Sequence, residues 1–577
     1  MCDGVIQGPF EGYPLNQVSA FISRPLRYVP TDPAATVSSN RDGSLGVLRN
    51  ISLGGFLLES ASALDVGDHV TELVLAADGQ LLPLPEASVV REETLSGDVD
   101  LLGFRFDNEI DELFRELSAL VRPSSYVSED LLRKPDGSDS GTWSLKDWLA
   151  FRRTENRDLF SKCAHASKRM EEMIRSGDYQ ARYRPTLTRG LDHRTVIFNP
   201  FTDREEEFIC FDSNGYLGLQ THPRVVEATK RALEDFGYGT PSVPLLSGTS
   251  RHLRELEEAI SDFHGREAAI IFTSGYVANV ATITALANST DRVFVDQFAH
   301  ASIHDAAGWA MGTAPRVFRH NSVEHLRGLL SSWREAETGG GLVVTDGVFS
   351  MQGTVADLPG ISAVCRENGA YLMIDEAHGT GVVGPTGRGT EELLDSNGAA
   401  DILMGTLSKA PGTVGGYVCG SQELITFLRF FSNPAVFSCS LPAATCAGAT
   451  EAFRIMADDP EPRQRLWANV DYMVQSLRAA GFAMNDPLSP ILPISVNGSE
   501  KLKRATHELV LRGIRCGPVS FPAVPHGQEI LRVTLNARHT QTDMDRCVEA
   551  LSALRGQGLV ESGPGADEAG QAASAAE

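Results

Sequence analysis

Short apolar runs at close spacing, cut by Gly, Asn and Asp, fill the first fifth of the chain. Gly46-Val-Leu-Arg-Asn-Ile-Ser52, Gly55-Phe-Leu-Leu-Glu59, His69-Val-Thr-Glu-Leu-Val-Leu75 and Leu101-Leu-Gly-Phe-Arg-Phe106 each read as a strand. Together they predict a small β-barrel over 21–122, after a tail of residues 1–20. The run from Ile110 to Leu120 has helical spacing, with Leu113, Leu117 and Leu120 on one face. Pro, Ser, Asp and Gly then collect over 123–142, the composition of a linker. From Trp143 to about 177 a charge-rich helical pattern puts Leu145, Trp148, Leu149, Leu159, Phe160 and Cys163 on its apolar side. It reads as a helix clamped onto the main body rather than one lying on a membrane, and 143–215 is taken as a helical arm. Strands and helices alternate over 216–455, the pattern of a parallel sheet wrapped by helices. Residues 456–560 repeat the alternation as a smaller α/β domain. The Ala-, Gly- and acid-rich segment 561–577 reads as a disordered tail.

The chain has 577 residues, room for three or four domains. No stretch approaches the roughly 20 apolar residues of a membrane span. Met1-Cys-Asp-Gly4 is no secretory start, so the cytoplasm is expected. Nine cysteines lie scattered with no CxxC pair, which suggests neither a disulfide framework nor a metal site. A net charge of −24 disfavours nucleic acid polymers and anionic lipid as partners of the whole molecule.

Candidate chemistry gathers in the alternating region. Lys409, in Asp401-Ile-Leu-Met-Gly-Thr-Leu-Ser-Lys-Ala410, is placed to form a Schiff base with pyridoxal phosphate. Asp375 follows the apolar run Ala370-Tyr-Leu-Met-Ile374, at a strand's C-terminal end, where α/β sheets place ligand-binding groups. It would keep the cofactor's ring nitrogen protonated; a helix N-cap is its structural alternative. His378 could reach the phenolic oxygen, and His300 could stack on the ring. Phe272-Thr-Ser-Gly-Tyr-Val-Ala-Asn279 ends a strand and opens a helix, so Ser274, Gly275 and Tyr276 could hold the phosphate with the helix dipole behind them. Thr406 could bond it by its hydroxyl.

From about 205 to 557 the chain resembles the α-oxoamine synthases, fold-type I pyridoxal-phosphate enzymes that include serine palmitoyltransferase, aminooxononanoate synthase, aminoketobutyrate ligase and aminolevulinate synthase. Asn214-Gly-Tyr-Leu-Gly-Leu219, Ser274-Gly-Tyr-Val-Ala-Asn279, His300-Ala-Ser-Ile303, Gly347-Val-Phe-Ser-Met351, Asp375-Glu-Ala-His378, Gly405-Thr-Leu-Ser-Lys409, Gly415-Gly-Tyr-Val418 and Phe437-Ser-Cys-Ser440 carry it. The resemblance implies a large domain with a mostly parallel sheet and a small C-terminal α/β domain. It assigns Lys409 the Schiff base, Asp375 the ring nitrogen, His378 and Ser350 the phenolic oxygen, His300 the stacking, and Thr406 with the 275–276 turn the phosphate. Ser440 would reach the phosphate of the neighbouring subunit, implying a homodimer with shared active sites. Arg532 would bind the amino acid carboxylate, its planar fork suited to a bidentate partner.

The implied reaction joins an amino acid to an acyl thioester carried by coenzyme A or a carrier protein. Lys409 takes the α-proton, the thiol leaves and carbon dioxide is lost, giving a 2-amino ketone. Asp346 and Gln352-Gly-Thr354 replace the family's Glu and Asp-Gly-Asp, and His252 stands one place early in its motif. Phe521-Pro-Ala-Val-Pro525 leans toward the palmitoyltransferase and long-chain aminoketone branches, with roles in lipid or secondary-metabolite synthesis. Two other readings are cleavage or ligation of a 2-amino-3-ketoacid, and a cofactor-binding scaffold without turnover.

Asn50-Ile-Ser-Leu-Gly-Gly55 and the strands around it resemble the PilZ domain, which binds cyclic di-GMP. Asn50, Ser52 and Gly55 meet its N-x-S-x-x-G motif. Arg24 and Arg27 have two residues between them, where the family's arginines have three. That leaves two readings, a cyclic di-GMP site and a docking domain that has lost the ligand.

Overall fold

The computed structural model describes residues 185–199, 202–311, 315–336, 339–520, 523–524 and 527–561, with ten strands between Tyr28 and Pro123. The expected helices of 110–120 and 143–177, the linker and the C-terminal tail lie outside these residues.

The N-terminal strands are β1 (Tyr28–Pro30), β2 (Thr36–Ser39), β3 (Gly43–Ser52), β4 (Gly55–Ser60), β5 (His69–Val70), β6 (Leu73–Ala77), β7 (Gln80–Leu84), β8 (Ala87–Thr94), β9 (Asp100–Phe106) and β10 (Val121–Pro123). They pair antiparallel in one sheet ordered β5-β8-β9-β4-β3-β2-β6-β7, with β1 joining β3 to β10. The Asn-x-Ser-x-x-Gly motif falls on the β3–β4 pair. A register shift lies between Leu48 and Asn50, and Ser52 pairs with Gly55. Bulges of this kind re-aim side chains.

After the N-terminal sheet come β11 (Arg194–Asn199) and β12 (Arg204–Phe211). The segment read as helical arm up to 215 therefore holds these two strands. Its local pattern explains why: along Arg194-Thr-Val-Ile-Phe-Asn199, Thr195, Ile197 and Asn199 are buried in alternation, a period of two that a helix cannot present to one core.

The large sheet holds β13 (Ala268–Phe272), β14 (Arg292–Asp296), β15 (Arg316–Phe318), β16 (Gly341–Asp346), β17 (Tyr371–Asp375), β18 (Ile402–Thr406) and β19 (Gly416–Gly420), ordered β13-β19-β18-β17-β16-β14-β15. It is parallel from β15 to β18, and β19 runs antiparallel to β18 and β13. Helices cover both faces, so successive residues of one strand enter different cores. Phe294, Val343, Leu372, Ile374, Leu403 and Tyr417 join one core, while Val295, Val344, Met373, Met404 and Val418 join the other. Every residue of β16, β18 and β19 is buried, which is why these strands read as continuous apolar runs.

β12 continues into the C-terminal sheet, whose order is β11-β12-β21-β22-β20 with β20 (Ile491–Ser495), β21 (Ile514–Val519) and β22 (Ile530–Thr534). Helices Glu461–Ala479, Ser499–Leu511 and Gln541–Gly556 pack in this domain. The last begins on a capping box, Thr540 with Asp543.

Candidate active site

Three parallel strands end together, and each end carries a polar residue. Asp346 closes β16, Asp375 closes β17 in register with it, and Thr406 closes β18 one strand further. Beyond Thr406 the chain reverses toward β19. Leu407 donates its amide to the Gly415 carbonyl at 3.0 Å, Thr413 to Leu407 at 2.8 Å and Gly412 to the Lys409 carbonyl at 2.9 Å. This turn fixes Lys409 above the strand ends. Its side chain keeps some accessible surface in the cleft, yet the surrounding protein strips most of its hydration. Desolvation lowers its pKa to about 8, with Arg532 acting the same way and Asp375 and Asp346 opposing. An amine so tuned keeps a far larger neutral fraction near neutral pH than an ordinary lysine does, and the neutral form is the nucleophile and base.

Asp375 is buried and accepts two hydrogen bonds, from the Ala377 amide at 2.9 Å and from Asn279 Nδ2 at 2.8 Å. Asn279 also donates to Ser302 Oγ at 2.9 Å, and Ser302 Oγ lies 2.7 Å from His300 Nδ1. The expected ring acid and the expected ring stacker thus belong to one hydrogen-bonded chain. His300 is exposed, and its amide donates to Asp346 Oδ1 at 3.0 Å. Burial lowers its pKa, with Lys409 acting the same way and Asp375 opposing. His378 is buried with Nδ1 2.6 Å from Tyr216 Oη. Desolvation, then Lys409, Arg532 and His300, keep its ring far below the usual imidazole range, so it is neutral and able to share a hydrogen bond.

The phosphate cradle is framed by the helix Gly275–Leu286, whose N-cap Ser274 accepts the Val277 amide at 3.1 Å. First-turn amides have no acceptor within the helix and carry the positive end of its dipole. A Cβ on Gly275 would lie 3.1 Å from Thr406 Cβ and Oγ1, so glycine lets the helix start close on Thr406. Thr406 Oγ1 meets Ser408 Oγ at 2.8 Å and the Gly415 carbonyl at 2.9 Å. Tyr276 spends its hydroxyl on Asp305, which pushes its pKa up to about 12. Ser440 lines a cavity of about 20 Å³ with Phe272 and Thr273 of its own chain, and its buried hydroxyl has no partner among the described residues.

Arg532 leaves β22 with Nη1 on the Ser350 carbonyl at 2.9 Å and Nη2 on Asn214 Oδ1 at 3.0 Å; its buried Nε has no partner among the described residues. Ser350 therefore meets this arginine through its backbone. Asn279, Ser302, Tyr216 and Asn214 were not singled out from sequence. Asn279 was within reach, since it stands four residues after Gly275 and so on the same face of the helix. Arg24 and Arg27 lie outside the described residues, as do the side chains of Asn50, Ser52 and Gly55. Among the described residues no three His, Cys, Asp or Glu side chains are grouped to hold a metal ion.

The chain as a whole is similar to known proteins. Residues 206–551 match the family Aminotransferase class I and II, and residues 23–122 match the PilZ domain. The chain belongs to the aminotransferase class I and II family. It is 38% identical over 346 residues to 8-amino-7-oxononanoate synthase 1 of Bacillus velezensis, covering 60% of this chain and 88% of that protein. It is 36% identical over 354 residues to a serine palmitoyltransferase of Sphingobacterium spiritivorum, covering 61% and 88%. Against 4-hydroxy-2,2'-bipyrrole-5-methanol synthase PigH of Serratia sp. it is 37% identical over 361 residues, 63% of this chain and 55% of that longer protein. Among solved structures, serine palmitoyltransferase from S. paucimobilis, with bound PLP and myriocin, superposes with TM-score 0.64 at 33% identity. That match covers 70% of this chain and 99% of that one. The Sphingomonas wittichii serine palmitoyltransferase gives TM-score 0.65 at 31% identity, covering 70% and 100%. The fold is that of the fold-type I transferases of this family. Among the described residues no helix is long and apolar enough to cross a membrane.

Proposed function

We propose that this protein is a pyridoxal-phosphate-dependent α-oxoamine synthase. It condenses an amino acid with an acyl thioester, with loss of carbon dioxide, to give a 2-amino ketone. The observation that carries this reading is Lys409, desolvated to a pKa of about 8 and held by the turn that follows Thr406. The donor set suits the cofactor: Gly275 lets the helix start close on Thr406, and Ser440 Oγ and Arg532 Nε are buried donors without a partner among the described residues. Bound there, pyridoxal phosphate supplies the electron sink that lets the amino acid's α-carbon give up its proton and later its carboxylate.

The chain's own residues supply the rest. Lys409 anchors the cofactor by its amine and takes the α-proton. Asp375 faces the ring nitrogen as a charge held by Asn279 and Ala377. His300 stacks, and neutral His378, tied to Tyr216, meets the phenolic oxygen with Ser350 nearby. Ser274, Gly275, Tyr276 and Thr406 surround the phosphate, Tyr276 through its backbone because its hydroxyl is engaged. Ser440 serves the phosphate of a partner subunit in a homodimer. Arg532 turns its fork to the substrate carboxylate, exchanging Asn214 and Ser350 for it.

The domain plan proposed is a PilZ module at 21–122, a linker at 123–142, an arm that becomes strands over 194–211, a large domain to about 455 and a small one to 560. The PilZ module makes cyclic di-GMP its proposed regulator, through Arg24, Arg27, Asn50, Ser52 and Gly55. Serine palmitoyltransferase-like or long-chain aminoketone chemistry is the favoured branch, in the cytoplasm. The test is the visible absorbance of purified protein supplied with pyridoxal phosphate. Wild type develops a borohydride-reducible band and Lys409→Ala does not; an unchanged reducible band in the variant refutes the assignment.

A further inference from the structure

Asp346 and Asp375 close neighbouring strands in direct register, and both are buried, at 3% and 4% exposure. Two carboxylates so placed in a dry site do not both stay ionised. Their hydrogen bonds decide which one yields. Asp375 accepts from the Asn279 amide group and from the Ala377 backbone, whereas among the described residues Asp346 accepts the His300 amide alone. We propose that Asp346 is a positioning residue that carries a proton, fixing the backbone of His300 while leaving Asp375 the sole carboxylate charge for the cofactor's ring nitrogen.

The surroundings agree from each side. Desolvation is the leading influence on Asp346 and raises its pKa well above the ordinary carboxylate value. Asp375 on β17 and Asp296 on β14 push the same way, and Lys409 with the His300 amide oppose. A second anion beside Asp375 would draw the cofactor's positive charge between two acids and pull Lys409 toward its ammonium form. A protonated Asp346 avoids both while keeping its Oδ1 for His300. The side chain is also short, so its carboxyl stays close to the strand end, where the His300 amide is in reach. The inference rests on the cofactor assignment above.

The test titrates apoprotein with pyridoxal phosphate and follows the visible band from pH 6 to 9 in wild type, Asp346→Asn and Asp346→Ala. Asp346→Asn keeps an oxygen acceptor without charge, so its cofactor affinity stays within about threefold of wild type and its pH response is unchanged. Asp346→Ala frees the His300 amide and binds at least about tenfold more weakly. Tenfold loss in Asp346→Asn overturns the proposal, because it means the negative charge is required. Wild-type affinity in Asp346→Ala overturns it too, because His300 then needs no such support. Should Asp346→Ala fail to fold, Asp346→Asn alone decides. A wild type that develops no band refutes the cofactor assignment instead, which separates the two failures.

Discussion

Asn279 Nδ2 donates to Asp375 Oδ2 at 2.8 Å, and the same amide group reaches Ser302 Oγ and so His300. One fully buried amide therefore ties Asp375 to Ser302 and, through it, to His300. A hydrogen bond to a charged group contributes roughly 1.5–3 kcal/mol. Asn279→Ala is expected to weaken cofactor binding by roughly 10- to 100-fold on that scale, read by absorbance titration of apoprotein. Unchanged affinity would show that Asp375 is held by other means.

Glu376, next to Asp375, is fully buried, and burial raises its pKa to about 7 against two hydrogen bonds from Thr390. A carboxyl whose folded pKa is raised favours the fold while protonated. Its contribution is complete below its unfolded value and is lost as pH rises through about 7. Glu376→Gln is expected to lose less stability than wild type between pH 5 and 8, measured by urea unfolding at fixed temperature. Parallel curves for the two proteins would contradict this.

Gly405 illustrates how the lysine segment depends on packing beneath it. A Cβ there would fall 2.2 Å from Tyr417 Cζ and Oη, and that hydroxyl is locked between His264 Nε2 at 2.9 Å and Thr380 Oγ1 at 2.8 Å. Gly405→Ala is expected to destabilise the protein by about 1–3 kcal/mol, the usual cost of overpacking. Thermal unfolding tests it, and an unchanged midpoint would mean that Tyr417 gives way freely.

Much of this was legible in the sequence, for definable reasons. The end of β17 is legible because its apolar run, buried from Leu372 on, stops at Asp375, whereas Asp346 and Thr406 draw notice by their place in motifs and not as strand ends. Lys409 and Arg532 were found because their neighbouring motifs come in a fixed order. Residues 194–211 were misjudged, since β12 opens with Arg204-Glu-Glu-Glu207, a charge run that hides a strand whose last four residues are buried. The antiparallel β19 was also hidden, because its five buried residues look the same in either direction. Asn279 and Ser302 escaped because their roles lie in contacts 96 and 23 residues away in sequence, with Asp375 and with Asn279.

Arg532 offers a check on substrate orientation. Its fork now rests on Ser350 and Asn214, partners a carboxylate can replace bidentately. Arg532→Ala is expected to raise the amino acid concentration needed for half of the cofactor's spectral shift by roughly 10-fold or more, given the cost of losing a charged hydrogen bond. Cofactor binding itself should change little. Equal amino acid affinity would move the carboxylate site elsewhere.

The central claim is the reaction, and its most direct measurement is carbon dioxide released from a carboxyl-labelled amino acid by the purified protein. The account predicts label released only when an acyl thioester is present, with none from Lys409→Ala. Release independent of thioester, or no release with any amino acid and thioester pair while the lysine-bound band is present, would contradict it.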